Sequence, residues 1–244
     1  MSDNNKLPQT RLIVALVAIC TLLIASTVNT YKIYNQNPAV IEDDLKSTKA
    51  QDNVFRIFIV TDGGGVGGGT GYLIKTEAQG VVVLTNKHIC DGDPSEGIFI
   101  LDQDGQQYMA KVRRKAKLTD LCLLETPDTF LNKYAGLTLA PPDTKLVTGQ
   151  LLYVYGHPGL RKLTGSNGPF VNETWAPLFE EEHLDAKQLK IGRADIVIYP
   201  GSSGSPVLNE EGLVVGTIFA YEGRTNIALF IPLREIVEFL AGGM

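Results

Sequence analysis

Histidine and cysteine are both scarce in this 244-residue chain, with three of each. No Cys-x-x-Cys pair and no His-rich spacing occurs, which removes the common frameworks for a bound metal. The cysteines do not demand an oxidising framework either, since Cys20 lies in an apolar N-terminal run and leaves only Cys90 and Cys122 beyond it. The glycine run Gly63-Gly64-Gly65-Val66-Gly67-Gly68-Gly69 is followed by no Gly-Lys-Ser/Thr and no helical pattern. It therefore reads as a flexible strand-to-strand loop and not as a phosphate cradle. The net charge of −5 gives no reason to expect a nucleic-acid partner. No internal repeat of useful length is apparent.

What is present fits one globular domain with an attachment. The chain is 44% hydrophobic with 25 Gly and 12 Pro, enough to bury a sizeable core between glycine-rich turns. Strand-type runs stand at Val54–Val60, Gly97–Leu101, Leu151–Tyr155 and Leu213–Ile218. Only Leu233–Leu240 reads as a helix, with apolar residues at Leu233, Ile236, Val237 and Leu240. This is an all-β pattern.

The most informative stretch is Pro200-Gly201-Ser202-Ser203-Gly204-Ser205-Pro206, a glycine turn between two apolar strands. Gly201 and Gly204 let the backbone adopt conformations closed to other residues, so that the amides of Gly201 and Ser203 can point together at a developing oxyanion. A serine nucleophile needs a base, and the base needs an orienting acid. His88 follows the apolar run Val81–Leu84, and Asp120 opens the apolar segment Leu121–Leu124. A buried Asp needs a partner. Of the three histidines, His88 is the one that precedes such an Asp and then the turn.

Thr85-Asn86-Lys87-His88, Asp120-Leu121-Cys122-Leu123-Leu124 and Gly201-Ser202-Ser203-Gly204-Ser205-Pro206 resemble the three signature motifs of chymotrypsin-fold (trypsin-like) serine proteases, in the family's order. Gly69–Gly71, Gly156–Pro158 and Phe230–Pro232 are similar to segments of the bacterial high-temperature-requirement branch, and the likeness covers roughly Asn53 to Leu240. The resemblance implies two six-stranded antiparallel β-barrels, with His88 and Asp120 from the first and Ser203 from the second. It implies a serine endopeptidase acting on polypeptides through an acyl-enzyme, with no cofactor. An idle peptide-binding adaptor and an esterase using the same groups are the alternatives.

In trypsin-like members an Asp six positions before the nucleophile pairs with a basic substrate side chain. Here that position is Val197, with Ile198 beside it, and the opposite wall is expected from Ile218, Phe219 and Ala220. Small or apolar residues before the cut are expected. Ser202 stands where digestive members carry an Asp that pairs with a new N-terminus, so activation by N-terminal cleavage is not expected. With the sequence ending at Met244, no PDZ domain is expected. The fold implied by the resemblance makes a Cys90–Cys122 bridge conceivable, but buried free cysteines are ordinary, and the two are expected as thiols.

Leu12–Val28 is uncharged and mostly apolar, just long enough to span a bilayer as a helix. With no clean small-x-small cleavage site, residues 12–34 are expected to form an uncleaved signal anchor with its interfacial flank, behind a polar tail at 1–11; a cleaved signal peptide is the rival. Lys6 and Arg11 on the N-terminal side place the domain at 53–244, after a linker at 35–52, in the periplasm or outside the cell. His157 is expected to make a turn hydrogen bond, and His183, beside Glu180, Glu181 and Glu182, to lie in a solvated acidic loop.

Overall fold

Two closed six-stranded antiparallel barrels make up the fold. The structure is a computed structural model, and it describes residues 50–60, 66–76, 79–91, 97–176, 189–223 and 227–242. The expected anchor, most of the linker and the acidic loop around His183 lie outside the described residues. Among those described, no helix is long and apolar enough to cross a membrane.

The first barrel is built from β1 (Val54–Val60), β2 (Val66–Thr76), β3 (Gly80–Thr85), β4 (Ile98–Leu101), β5 (Gln107–Lys115) and β6 (Cys122–Glu125). The second holds β7 (Leu151–Gly156), β8 (Thr164–Ala176), β9 (Leu189–Ala194), β10 (Pro206–Leu208), β11 (Val214–Glu222) and β12 (Ile227–Pro232). Alternation of inward and outward side chains fills each interior. Phe55, Ile57, Leu73, Ile100 and Phe130 pack the first; Leu152, Val154, Phe170, Ile196, Ile218 and Phe230 pack the second. Single-turn helices α1 (Lys87–Cys90) and α2 (Asp128–Leu131) interrupt the strands, and the expected helix appears as α3 (Leu233–Leu240).

The glycine run departs from expectation. Val66–Gly69 is strand, registered against Ile57–Val60. The glycines permit close backbone approach: a Cβ on Gly68 would stand 2.0 Å from the Ile57 carbonyl oxygen, and one on Gly69 2.8 Å from that of Ser203.

A third apolar layer joins the barrels, with Tyr72, Leu84 and Leu123 on one side, Tyr155, Leu208 and Val214 on the other, and Ile236, Phe239 and Leu240 of α3 closing it. Within it the Tyr72 hydroxyl meets Thr217 Oγ1 at 2.8 Å, which pairs two buried oxygens across the interface. Arg114 of β5 donates to the Phe239 carbonyl and Gln79 to that of Leu240 at 2.7 Å. Barrel 1 thereby adds side-chain donors to carbonyls in the last turn of α3, where the Phe239 carbonyl also accepts the Gly242 N–H at 3.1 Å.

Candidate active site

β3 ends at Thr85, and Asn86 and the single turn of α1 then swing His88 outward while Ile89 and Cys90 turn into the core. The segment before β6 runs alongside, because Thr85 is registered against Cys122. Asn86 Nδ2 fixes it by donating to the Asp120 carbonyl at 2.9 Å. The Asp120 carboxylate then receives the His88 backbone N–H on Oδ1 at 2.8 Å and His88 Nδ1 on Oδ2 at 2.6 Å. Since a carboxylate only accepts, Nδ1 is the donor in this pair, on a side chain that is 50% exposed.

Two residues past each of these side chains, Cys90 and Cys122 are joined in a disulfide with Cα atoms 6.6 Å apart. This corrects the expectation of free thiols. The α1 turn brings Cys90 back over β6, a local fold that sequence separation alone does not reveal.

Ser203 sits on the turn before β10. Gly201 and Gly204 have φ of +95° and +86°, and a Cβ on Gly204 would stand 1.9 Å from the Thr70 carbonyl oxygen. Both positions require glycine for conformation as well as space. The turn is closed by Ser202 N–H to Tyr199 O at 2.9 Å and Ser205 N–H to Ser202 O at 3.0 Å. Ser202 Oγ faces the Tyr199 N–H at 3.4 Å, so this serine serves the turn. The amides of Gly201 and Ser203 have no hydrogen-bond partner among the described residues.

The Ser203 main chain reaches barrel 1, its carbonyl accepting from Thr70 N–H at 2.8 Å. Gly69 lies between Ser203 and Ile89, the neighbour of His88, which brings the serine turn to the histidine turn. The Ser203 hydroxyl, however, points to the Phe219 carbonyl at 3.4 Å, and no hydrogen bond to His88 is formed. His88 and Asp120 are thus in direct contact, while the Ser203 hydroxyl is directed to the main chain of β11.

Of the expected pocket residues, Val197 is 43% exposed and Phe219 and Ala220 are half-buried. The side chains of Ile218 and Ile198 belong to the barrel 2 core, together with Ile196. The main chain of Ile218 is also taken, by Ser205 O and Gly204 N–H. Past Thr217 no strand among the described residues pairs with the β10 side of β11, so Phe219–Tyr221 form an open edge. Glu222, at the end of that strand, is bound by Arg193 through two hydrogen bonds of 2.9 and 3.1 Å.

His157 makes the expected turn bond, Nδ1 to Arg161 O at 2.8 Å, but it is also buried. With the proton on Nδ1, Nε2 is left without a partner among the described residues. Burial, against the bond to the Arg161 carbonyl and together with the nearby Arg56 charge, pushes its pKa down to about 4. Thr70 is the site residue that motif reading passes over. Its signal is a small hydroxyl residue between two glycines in an otherwise apolar strand.

Residues 69–216 match the family model described as a trypsin-like peptidase domain. The chain belongs to this family. Among its curated relatives is the serine protease Do-like HtrA of Bacillus subtilis (strain 168), 28% identical over 62% of this chain and 32% of the relative. Another, "Probable periplasmic serine endoprotease DegP-like" of Marinomonas sp. (strain MWYL1), is 31% identical over 61% of this chain and 28% of its own. The chain spans about a third of the length of these trypsin-like relatives. Solved structures share the fold: the active form of the Rv3671c protease from M. tuberculosis superposes with a TM-score of 0.67 at 18% identity, covering 82% of this chain and 85% of that one. The HtrA-type protease AlgW with a decapeptide gives 0.62 at 19% identity, over 80% and 65%.

Proposed function

We propose that this member of the trypsin-like family is a serine endopeptidase in which Ser203, His88 and Asp120 form the catalytic triad. The observation that carries this reading is the 2.6 Å His88–Asp120 pair, with its free Nε2, beside a serine turn whose two flanking amides are unbonded. Rotation of the Ser203 side chain from Phe219 O toward His88 sets up the attack, a motion between staggered wells. Ser203 Oγ then bonds to the scissile carbonyl carbon while His88 Nε2 takes its proton, and the carbonyl oxygen becomes an anion facing the Gly201 and Ser203 amides. Collapse breaks the C–N bond as His88 delivers the proton to the leaving amine. Water, activated by the same histidine, releases the acyl group. Asp120 holds the ring and balances its transient charge. No cofactor enters.

The polypeptide is read as a strand added to the open Phe219–Tyr221 edge of β11. Val197 supplies no fixed anion for a basic side chain, and Glu222 is occupied by Arg193. A buried substrate Lys would lack a partner, which favours small or apolar residues before the cut. Residues 12–34 anchor the enzyme in the membrane with its catalytic domain in the periplasm or outside the cell. The Cys90–Cys122 disulfide supports an oxidising compartment, and the periplasmic name of the Marinomonas relative points the same way.

The decisive experiment is a soluble domain from Asp52 onward, tested with a fluorophosphonate probe and with unfolded casein. Labelling at Ser203 together with casein cleavage is expected; absence of labelling leaves only a peptide-binding role. Cleavage of a peptide library by the same domain tests the pocket, and a preference for Lys or Arg over Val, Ala and Leu overturns it. For the anchor, full-length protein should resist carbonate extraction, and a mature N-terminus near Thr27 or Asn29 would refute it.

A further inference from the structure

The serine turn is held by its carbonyls. Pro200 O accepts from Gly159 N–H at 2.6 Å, Ser202 O from Ser205 N–H at 3.0 Å and Ser203 O from Thr70 N–H at 2.8 Å. The remaining carbonyl, that of Gly201, accepts from the Thr70 hydroxyl at 2.8 Å. A peptide unit is planar, so fixing its carbonyl fixes the direction of its N–H as well. With all four carbonyls tied, the Gly201 and Ser203 amides are the donors left over.

Two of the four ties come from one residue of the opposite barrel. Thr70 is fully buried on β2, where it is registered against Arg56. Its own carbonyl is braced by Thr85 Oγ1 at 2.7 Å, three residues before His88. The side chain has one orientation: Oγ1 accepts the His157 N–H at 3.0 Å, and its single proton must go to Gly201 O. The peptide it holds, Gly201–Ser202, is the one between the two free amides. That peptide sets their relative direction.

We propose that Thr70 is a positioning residue for the oxyanion site: from barrel 1, it fixes the Gly201–Ser203 turn of barrel 2 so that both amides face the developing negative oxygen. The inference rests on the serine-protease reading. It assigns the threonine a role in the transition state and none in holding substrate.

The test compares Thr70→Val, which keeps the shape and removes the hydroxyl, with Thr70→Ser, which restores it. For each protein, kcat and KM on a cleaved peptide, affinity for a peptide boronic acid and melting temperature are measured. In T70V kcat should fall by about 10- to 100-fold, part of the loss seen when an oxyanion donor itself is removed. Boronic acid affinity should fall in parallel, because its tetrahedral adduct places an oxygen at the same amides, while KM stays nearly constant. T70S should recover most of both. Wild-type kcat in T70V, an unchanged boronic acid affinity, or T70S as impaired as T70V would overturn the role. Should T70V fail to fold, Thr70→Ala carries the same comparison. A wild-type protein that neither cleaves peptide nor takes a fluorophosphonate would overturn the protease reading instead.

Discussion

The two halves of the candidate site are secured in different ways. The His88–Asp120 half is complete within barrel 1, where a disulfide and two hydrogen bonds to one carboxylate close a small ring of structure around it. The Ser203 half has no covalent tie and leans on other segments, taking Thr70 from barrel 1 and Gly159 from the turn after β7. The His88–Asp120 pair is therefore preassembled by one barrel, whereas the Ser203 turn and its free amides depend on the packing of both. Such non-covalent assembly is easily perturbed, since single bonds of this kind contribute about 1 kcal/mol each.

The largest effect expected is on chemistry. Ser203→Ala and His88→Ala should each lower kcat by about 10⁴- to 10⁶-fold, and the double variant by no more, because the two halves act as a unit. Additive losses in single-turnover measurements would separate them and break the assignment. Next is the covalent tie. Replacing both Cys90 and Cys122 by Ala should lower unfolding stability by about 3–4 kcal/mol, as expected for a closed loop of this length, with a smaller effect on kcat. Urea unfolding with and without a thiol reductant measures it; a wild-type protein indifferent to reductant would show that the base half is secured without the bridge.

The smallest effect concerns the turn behind Ser203. His157 has a folded pKa depressed to about 4, so below its ordinary value near 6.5 the unfolded chain binds a proton that the folded chain does not. Stability is unaffected above that value and falls as pH drops through the window between the two. Between pH 7 and pH 5 this amounts to about 2 kcal/mol. His157→Asn should flatten that slope in urea titrations across the range, whereas parallel profiles for the two proteins would show that the proton enters elsewhere.

Much of this was legible in the sequence. Val54–Val60 and Leu233–Leu240 carry clean periodicity, and both elements form with those bounds. The paired barrels and the family were readable from three short motifs in order. What escaped is what only closure creates. β5 reads as a basic run, Lys111-Val112-Arg113-Arg114-Lys115, because its outer face is solvated and a bulge between Val112 and Arg114 breaks its alternation. β8 is rich in residues that favour turns and is held as strand by neighbours on both sides. Asp102 gave no signal, yet it is buried with Lys133, Tyr108 and Tyr134 converging on its carboxylate. Although burial acts to raise its pKa, the bonds from Lys133 and Tyr134 and from the Gln106 N–H hold it below the usual carboxylate range. That convergence joins a hairpin turn to the end of α2, positions that no local pattern links.

The layer between the barrels also bears on the order in which the molecule assembles. Ala50 and Leu240 belong to the same buried cluster. Almost the whole described chain lies between them, so the cluster is complete only once segments this far apart in sequence have met. Long-range contacts of this kind place a fold among the slow ones. During synthesis α3 leaves the ribosome after every strand, and until it docks the apolar seam beneath it is open to water. The segment farthest in sequence from His88 is thus the one whose arrival closes the seam between the barrels.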